Sequence, residues 1–379
     1  MHRESRVLVL SPSLRARGGV QQYIRTLVSA LRDLVGEQQV VLWTIPQRRA
    51  DTGGHTRVHP GERARFLAGA LWRAWRLRPT LIISAHVAVA PVGWLLHRLW
   101  RAPHWGVGYG VDVWGTLPWW KQKPLAAAQR VVAISKFTGQ HMVRRQHVAE
   151  SRLAVLPCAL DDRLLHVEPD RGWLVTHNLA DSPFLLTVGR LAASERYKGH
   201  DVVIRALPKI ISRVPHTRYL IIGDGDDRPR LERLAVSQGV AEHVVFAGTV
   251  SESQLAAAYR GCRVFVMPAR TVLDEEPPKG EGFGIVFLES MAFGKPVVGP
   301  NEGAPAEFIE HGKHGLLVDP ADPDQVAEAI TFLLLNPSAA DQMGEQARAW
   351  VQEAFSFTRF KERLARLLDD VSTSTVLGV

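Results

Sequence analysis

The sequence predicts an α/β protein made of two Rossmann-like, doubly wound domains in series. Short apolar runs alternate with amphipathic segments from end to end, the pattern of a parallel sheet covered by helices. That pattern restarts at Phe184, after a stretch with no clear period. The 379 residues are too many for one ordinary core and suit two domains of roughly 150–200 residues each.

In the first half, strands are predicted at 6–10, 40–44, 81–84, 105–109, 131–134 and 153–156. A Gly-containing loop follows the first strand. Helical spacing of Ile24, Leu27, Val28, Leu31 and Leu34 then predicts a helix over 21–34. In the second half, strands are predicted at 184–189, 219–222, 244–247, 264–267, 296–299 and 315–318. The linker is placed within 161–181. The expected domains are 1–170 and 171–355, and a final helix in 356–379 is expected to pack back on the first domain.

Charge is spread unevenly. Residues 1–175 carry 25 Lys and Arg against 11 Asp and Glu, a net of +14, and the remainder nets −6, giving +8 overall. Ten of the eleven Trp also lie in the first part, so the two halves are expected to meet different partners, an anionic surface or acceptor for the first. Cys158 and Cys262 form no metal-ligand or disulfide motif, which suits a reducing compartment. No signal peptide is visible. No run reaches the roughly 18 apolar residues of a spanning helix. The expected location is therefore cytoplasmic, peripheral to the membrane.

In open parallel sheets, ligands bind at the carboxyl ends of strands, and the polar and Gly-rich residues lie there. Gly18 and Gly19 fall between the first strand and its helix, where backbone N–H groups could approach a phosphate; a plain tight turn is the simpler account. Gly189 ends a strand, and Arg190 and Lys198 follow. A planar fork and a mobile point charge suit a diphosphate, although a pair of solvated cations would look the same. The strongest local signal is the run from Lys279 to Ser290, a Gly-rich turn leading into an apolar helix near Gly284. The N–H groups of Phe283, Gly284 and Ile285 are expected to point at an anion. Glu281 in the loop and Glu289 on the helix would repel phosphate, so they are expected to address neutral hydroxyls, such as those of a sugar and a ribose. Leu288, Met291 and Ala292 mark this helix as buried, which argues against a casually exposed Glu289.

These residues resemble family 4 of the glycosyltransferases, a retaining family with the GT-B fold, in which the two domains face each other across a cleft. Glu281 and Glu289 match its Glu-x7-Glu motif, and 189–199, 221–225, 265–270, 294–298 and 303–307 match its pattern. The stretch 267–289 is especially similar to bacterial mannosyltransferases acting on phosphatidylinositol mannosides. The resemblance implies that Arg190 and Lys198 hold the donor diphosphate, Glu281 the transferred sugar and Glu289 the ribose. Gly18, Gly19, Gly189, Gly282, Phe283, Gly284 and Ile285 would complete the donor site, with 247–251 meeting the base. Tyr109 stands where many members place a His that contacts the donor sugar. Tyr109, His86 and Asp112 are assigned to the acceptor side.

The resemblance implies a nucleotide-sugar donor, GDP-mannose first and a UDP-sugar second. It implies a glycan or lipid-linked acceptor in envelope or exopolysaccharide synthesis. The acceptor hydroxyl would attack from the leaving-group face; double displacement stays open. Asp224 and Asp226 resemble a metal-binding Asp-x-Asp, but they follow a strand and open a helix, so no cofactor or essential metal is expected. A dinucleotide oxidoreductase is disfavoured because no Gly-x-Gly-x-x-Gly follows the first strand. A nucleic-acid-binding module is disfavoured because no binding motif accompanies the basic half, and no nucleic-acid partner is expected. Instead the first domain is expected to dock on an anionic membrane. Phe66, Leu67, Leu71 and Trp75 would form one side of a helix flanked by Arg63, Arg65, Arg73, Arg76 and Arg78. Trp94, Trp100, Trp105, Trp119 and Trp120 follow among further basic residues. The rival account puts Trp72, Trp75 and Trp94 in the core.

Overall fold

The computed structural model describes residues 5–14, 18–45 and 59–376. The chain divides into two compact units: Met1–Ala159 together with Phe357–Val379, and Leu160–Ser356.

Among the described residues, the first unit holds six strands: Val7–Ser11 (β1), Val40–Thr44 (β2), Leu81–Ser84 (β3), His104–Gly108 (β4), Arg130–Ala133 (β5) and Leu153–Val155 (β6). They form one parallel sheet in the order β2-β1-β3-β4-β5-β6. Every residue of β1, β3 and β4 is buried, as expected of parallel strands covered on both faces. Helix Gly19–Val35 buries Ile24, Leu27, Val28 and Leu31 of the stripe its spacing predicts, together with Tyr23, while Leu34 is only half-buried. The C-terminal helix Phe357–Val376 belongs to this unit. Phe360 lies edge-on to Tyr23, with ring centroids 5.6 Å apart, and Lys361 pairs with Asp33 at 3.2 Å. Phe360, Leu364 and Leu368, four residues apart, form its buried stripe.

The second unit repeats the plan with Phe184–Val188 (β7), Arg218–Ile222 (β8), Val244–Gly248 (β9), Val264–Val266 (β10), Val297–Pro300 (β11) and Gly315–Val318 (β12), in the order β12-β11-β10-β7-β8-β9. Its sheet is also parallel. Helices His200–Arg213 and Pro323–Leu335 pack together over it through Val203, Leu207, Ile210, Val326 and Ile330. Each such side chain contributes about 1.5–3 kcal/mol when fully buried.

The first boundary falls at 159/160 and not at 170. Residues 160–181 carry the short helix Arg171–Thr176, and hydrogen bonds tie them to the second unit. The Asp170 amide donates to the Ser253 carbonyl at 3.1 Å, and the Arg260 guanidinium donates to the carbonyls of Val167 and Leu165 at 2.9 and 2.5 Å.

Helix Pro60–Leu77 corrects the expected apolar side. Phe66 is buried with Ala70 and Ala74, and Leu71 packs against the same core. Trp72 and Trp75 are turned to solvent, 50% and 67% exposed, which also rules out the account that places both in the core. Trp105 is fully buried, Trp94 and Trp100 are half-buried, and Trp119 and Trp120 are exposed. Among the described residues no helix is long and apolar enough to cross a membrane.

One glycine fixes how the second unit presents its polar loop. Gly199, at φ +80°, starts helix His200–Arg213, and a Cβ there would lie 2.3 Å from the Pro268 carbonyl oxygen. Gly199→Ala is expected to lower stability by about 1–3 kcal/mol through left-handed strain alone, and further through the clash. Gly61→Ala, in helix Pro60–Leu77 with nothing within 4 Å, is the control and is expected to be neutral or stabilising. Denaturant titration checks this, and equal midpoints for the two variants would contradict it.

Candidate functional site

The polar cluster of the second unit lies just beyond the carboxyl end of β7. Gly189 follows that strand, and a Cβ there would meet the Lys198 side chain at 3.1 Å, so glycine leaves room for the lysine to run across the backbone. Lys198 ends the 3₁₀ segment Ala193–Lys198 and is largely buried. Its ammonium donates to Glu281 at 2.9 Å and lies 3.5 Å from Glu195. Burial pulls the lysine pKa down, but the charges of Glu281 and Glu195 outweigh it, and the ammonium titrates above the ordinary lysine range. Glu195 also pairs with Arg190, whose side chain is exposed. One acidic residue therefore binds both cations that the sequence assigned to a diphosphate.

Glu281, Gly282, Phe283 and Gly284 lead into helix Ile285–Ala292, which has no side-chain cap. Gly284 takes φ +89°, and a Cβ would meet the Phe287 ring at 2.9 Å. Phe283 is buried and stacks on Phe308, 4.9 Å between centroids. The loop backbone is therefore held firmly beside the helix N-terminus, where unsatisfied N–H groups favour an anion. Glu289 projects from the same helix and accepts a hydrogen bond from the Tyr259 hydroxyl at 2.8 Å. It keeps a partly exposed edge, yet burial pushes its carboxyl up to about 7. The Tyr259 hydroxyl draws it down, and the Asp161 charge raises it.

The acidic run after β8 is occupied locally. Asp226 accepts from the Ala193 amide at 2.8 Å, Asp224 from the Gly225 amide at 2.8 Å, and Asp227 pairs with Arg196 and Arg230. Among the described residues no group of three or more His, Cys, Asp or Glu is placed to hold a metal ion. A groove of about 590 Å³ lined by Phe184, Arg263 and Lys295 lies at the opposite, amino ends of the strands and holds none of these residues.

In the first unit, Gly18 caps helix Gly19–Val35 without a side-chain partner, and Arg17 lies outside the described residues. Tyr109 departs from its expected role. It is buried, its hydroxyl donates to the Ala85 carbonyl at 2.9 Å, and its ring meets Tyr23 edge-on and stacks on His86. A phenol so committed presents no donor to a ligand. His86 accepts from the Ala88 amide through Nδ1 at 3.0 Å, leaving the proton on Nε2, 3.8 Å from Asp112. Asp112 itself accepts from the amides of Tyr109 and Gly110 at 3.0 and 2.7 Å. The structure brings these three residues together as a hydrogen-bonded corner at the ends of β3 and β4.

Two family models match the chain. The model described as Glycosyltransferase Family 4 covers residues 17–164, and the one described as Glycosyl transferases group 1 covers 175–350. The chain belongs to glycosyltransferase family 4. It is 39% identical over 218 residues to a GDP-mannose-dependent alpha-(1-6)-phosphatidylinositol monomannoside mannosyltransferase of Mycolicibacterium smegmatis, covering 56% of this chain and 55% of that one. It is 32% identical over 284 residues to the Mycobacterium tuberculosis protein of the same description, covering 73% and 66%. The alignments thus span 55% and 66% of these curated relatives. Among solved structures, Anabaena HepE in complex with UDP superposes with a TM-score of 0.77 at 18% identity, covering 96% of this chain and 100% of that one. Sucrose-phosphate synthase from Thermosynechococcus elongatus also gives 0.77, at 22% identity, with 97% and 100% covered. The fold is GT-B, two Rossmann-like units in one chain.

Within this family member, sequence reasoning missed Glu195 and Tyr259. Glu195 carried a signal, an acid three residues before the cationic Lys198. Tyr259 carried only its aromatic character on an alanine-rich helix. The raised pKa of Glu289 gives a prediction. Between the ordinary carboxylate value and about 7, the folded chain holds a proton that the unfolded chain has released, so this residue's contribution to stability is present at low pH and is lost as pH rises through about 7. Glu289→Gln is expected to remove that component: the stability of wild type relative to the variant should fall with rising pH in this window. A pH-independent difference in denaturation midpoints would contradict it.

Proposed function

We propose that the protein is a retaining, metal-independent hexosyltransferase that moves a sugar from a nucleoside diphosphate donor to a hydroxyl of a lipid-linked or polysaccharide acceptor. The observation that carries this reading is the Lys198–Glu281 pair, which joins a cation suited to phosphate to a carboxylate suited to sugar hydroxyls within 2.9 Å. Family membership supports it, and GDP-mannose is favoured because the mycobacterial relatives are described as GDP-mannose-dependent. Their descriptions also favour a phosphatidylinositol mannoside as acceptor.

In this reading Arg190 and Lys198 neutralise the diphosphate, the N-terminus of helix Ile285–Ala292 adds its N–H groups, Glu281 orients the sugar and Glu289 takes the ribose. The bond from the anomeric carbon to the phosphate oxygen breaks as the acceptor oxygen bonds that carbon on the same face. The acceptor proton passes to the departing phosphate, and the two cations stabilise the charge that develops there. These positive groups fill the place a metal ion would take.

The acceptor would be met at the cytoplasmic membrane face. Exposed Trp72 has Arg76 5.5 Å from its ring, and exposed Trp120 has Lys121 at 5.0 Å. Trp side chains suit the interfacial zone, and each basic residue near an anionic leaflet contributes about 1 kcal/mol.

A donor screen with GDP-mannose, UDP-glucose and UDP-N-acetylglucosamine, scored for transfer to a phosphatidylinositol mannoside, tests the reaction. Transfer from GDP-mannose that survives EDTA and is nearly abolished in Glu281→Ala is expected. A strict Mg²⁺ requirement, or wild-type turnover in that variant, would contradict the reading. Co-sedimentation with acidic phospholipid vesicles tests the surface. Binding is expected to fade with salt and to weaken in a Trp72→Ala/Trp75→Ala variant; no binding at low salt would refute it.

A further inference from the structure

We infer that Tyr259 is a positioning residue that aims Glu289 at the ribose diol of the donor nucleotide and so makes the site prefer ribonucleotides to 2′-deoxyribonucleotides. The inference rests on the nucleotide-sugar reading above and adds a residue to which that reading gives no part.

Tyr259 lies near the end of helix Glu252–Gly261, whose start is fixed by a capping box between Ser251 and Gln254. Its ring is fully buried, stacked on Phe293 with centroids 5.4 Å apart and planes 12° apart, and it also touches Phe265. This sandwich leaves the ring one orientation. The hydroxyl reaches out of an otherwise aromatic setting to Glu289 Oε2 at 2.8 Å. Burial raises the phenol well above its ordinary range, so it stays protonated and always donates.

Glu289 rises from a different helix, just over one turn past Gly284, and is the partly exposed end of the pair. A carboxylate has about four lone-pair positions, and one bond from Tyr259 leaves the others for a ligand. An acceptor-only group with two oxygens matches two adjacent hydroxyls that both donate, which is a vicinal diol. Glu289 performs this only when ionised; once protonated, one of its oxygens becomes a donor. The groups that face it are the Tyr259 hydroxyl, which favours the ionised form, and Asp161, which opposes it. Tyr259 therefore does two things with one hydrogen bond: it fixes the plane of the carboxylate, and it offsets part of the burial that favours the protonated form. A purely structural tyrosine would do neither.

Calorimetric titration of the full chain tests this with GDP or UDP, whichever the wild type binds more tightly, and the 2′-deoxy form of the same nucleotide. Wild type is expected to prefer the ribonucleotide by roughly tenfold, the worth of a hydrogen bond to a charged group. In Tyr259→Phe that ratio is expected to fall towards one, with the deoxynucleotide affinity nearly unchanged, and to recover partly as the pH is raised above about 7. A folded Tyr259→Phe chain with the wild-type ratio overturns the inference. If the variant does not fold, the wild-type profile carries the test: the ribose preference should grow as pH rises through about 7, and a preference flat with pH overturns it. A wild type that binds neither GDP nor UDP overturns the donor-site reading itself, an outcome distinct from both.

Discussion

A buried ammonium must remain paired, and the second unit is arranged around that constraint at Lys198. Its two carboxylate neighbours come from separate segments, Glu195 from the turn after β7 and Glu281 from the loop before helix Ile285–Ala292. The lysine therefore ties those segments together as well as carrying charge. The backbone makes room for it: Gly189 leaves space for its stem, and Gly199 turns the chain under Pro268 immediately after it. Removing one partner of such a pair strands the other in a low-dielectric setting. An arriving diphosphate would meet a lysine already oriented, with Arg190 held beside it through Glu195.

The first unit uses its polar groups differently. At the ends of β3 and β4, Tyr109, His86 and Asp112 hydrogen-bond to backbone amides and carbonyls, which satisfies the Tyr109 hydroxyl and Asp112 Oδ1 and stiffens the corner, while Asp112 Oδ2 is buried without a hydrogen-bond partner. The unusual feature of this unit is its surface, where Trp72, Trp75, Trp119 and Trp120 stand exposed among basic side chains. Large apolar groups at a surface carry a solvation penalty that a partner would relieve.

The twelve strands among the described residues were legible in the sequence to within a residue or two, because buried parallel strands read as short apolar runs and their loops as Gly-rich breaks. The loop at 279–284 and the helix after it were legible for the same reason. The boundary near 160 was not, because it is set by hydrogen bonds from Asp170 and Arg260 that leave no periodic trace. Tyr109 was misplaced because spacing shows where a residue lies on a loop but not whether its hydroxyl is already engaged. The apolar side of helix Pro60–Leu77 was misplaced because Phe66 and Trp75 share a hydrophobic label, and only packing separates a core side chain from a surface one. Tyr259 acts through a partner far along the chain, Glu289, 30 residues away, whereas Glu195 pairs with the nearby Arg190 and Lys198, and only the link from Lys198 on to Glu281, 83 residues away, leaves no trace in the sequence.

The central claim is that Lys198 recognises the phosphates of a nucleoside diphosphate. Calorimetric titration of wild type and Lys198→Ala with the nucleoside diphosphate and with the matching free nucleoside tests it most directly. Loss of a charge-assisted contact is expected to weaken the diphosphate by about 1.5–3 kcal/mol and to leave the nucleoside nearly unaffected. Equal losses for both ligands, or none for the diphosphate, would contradict the account.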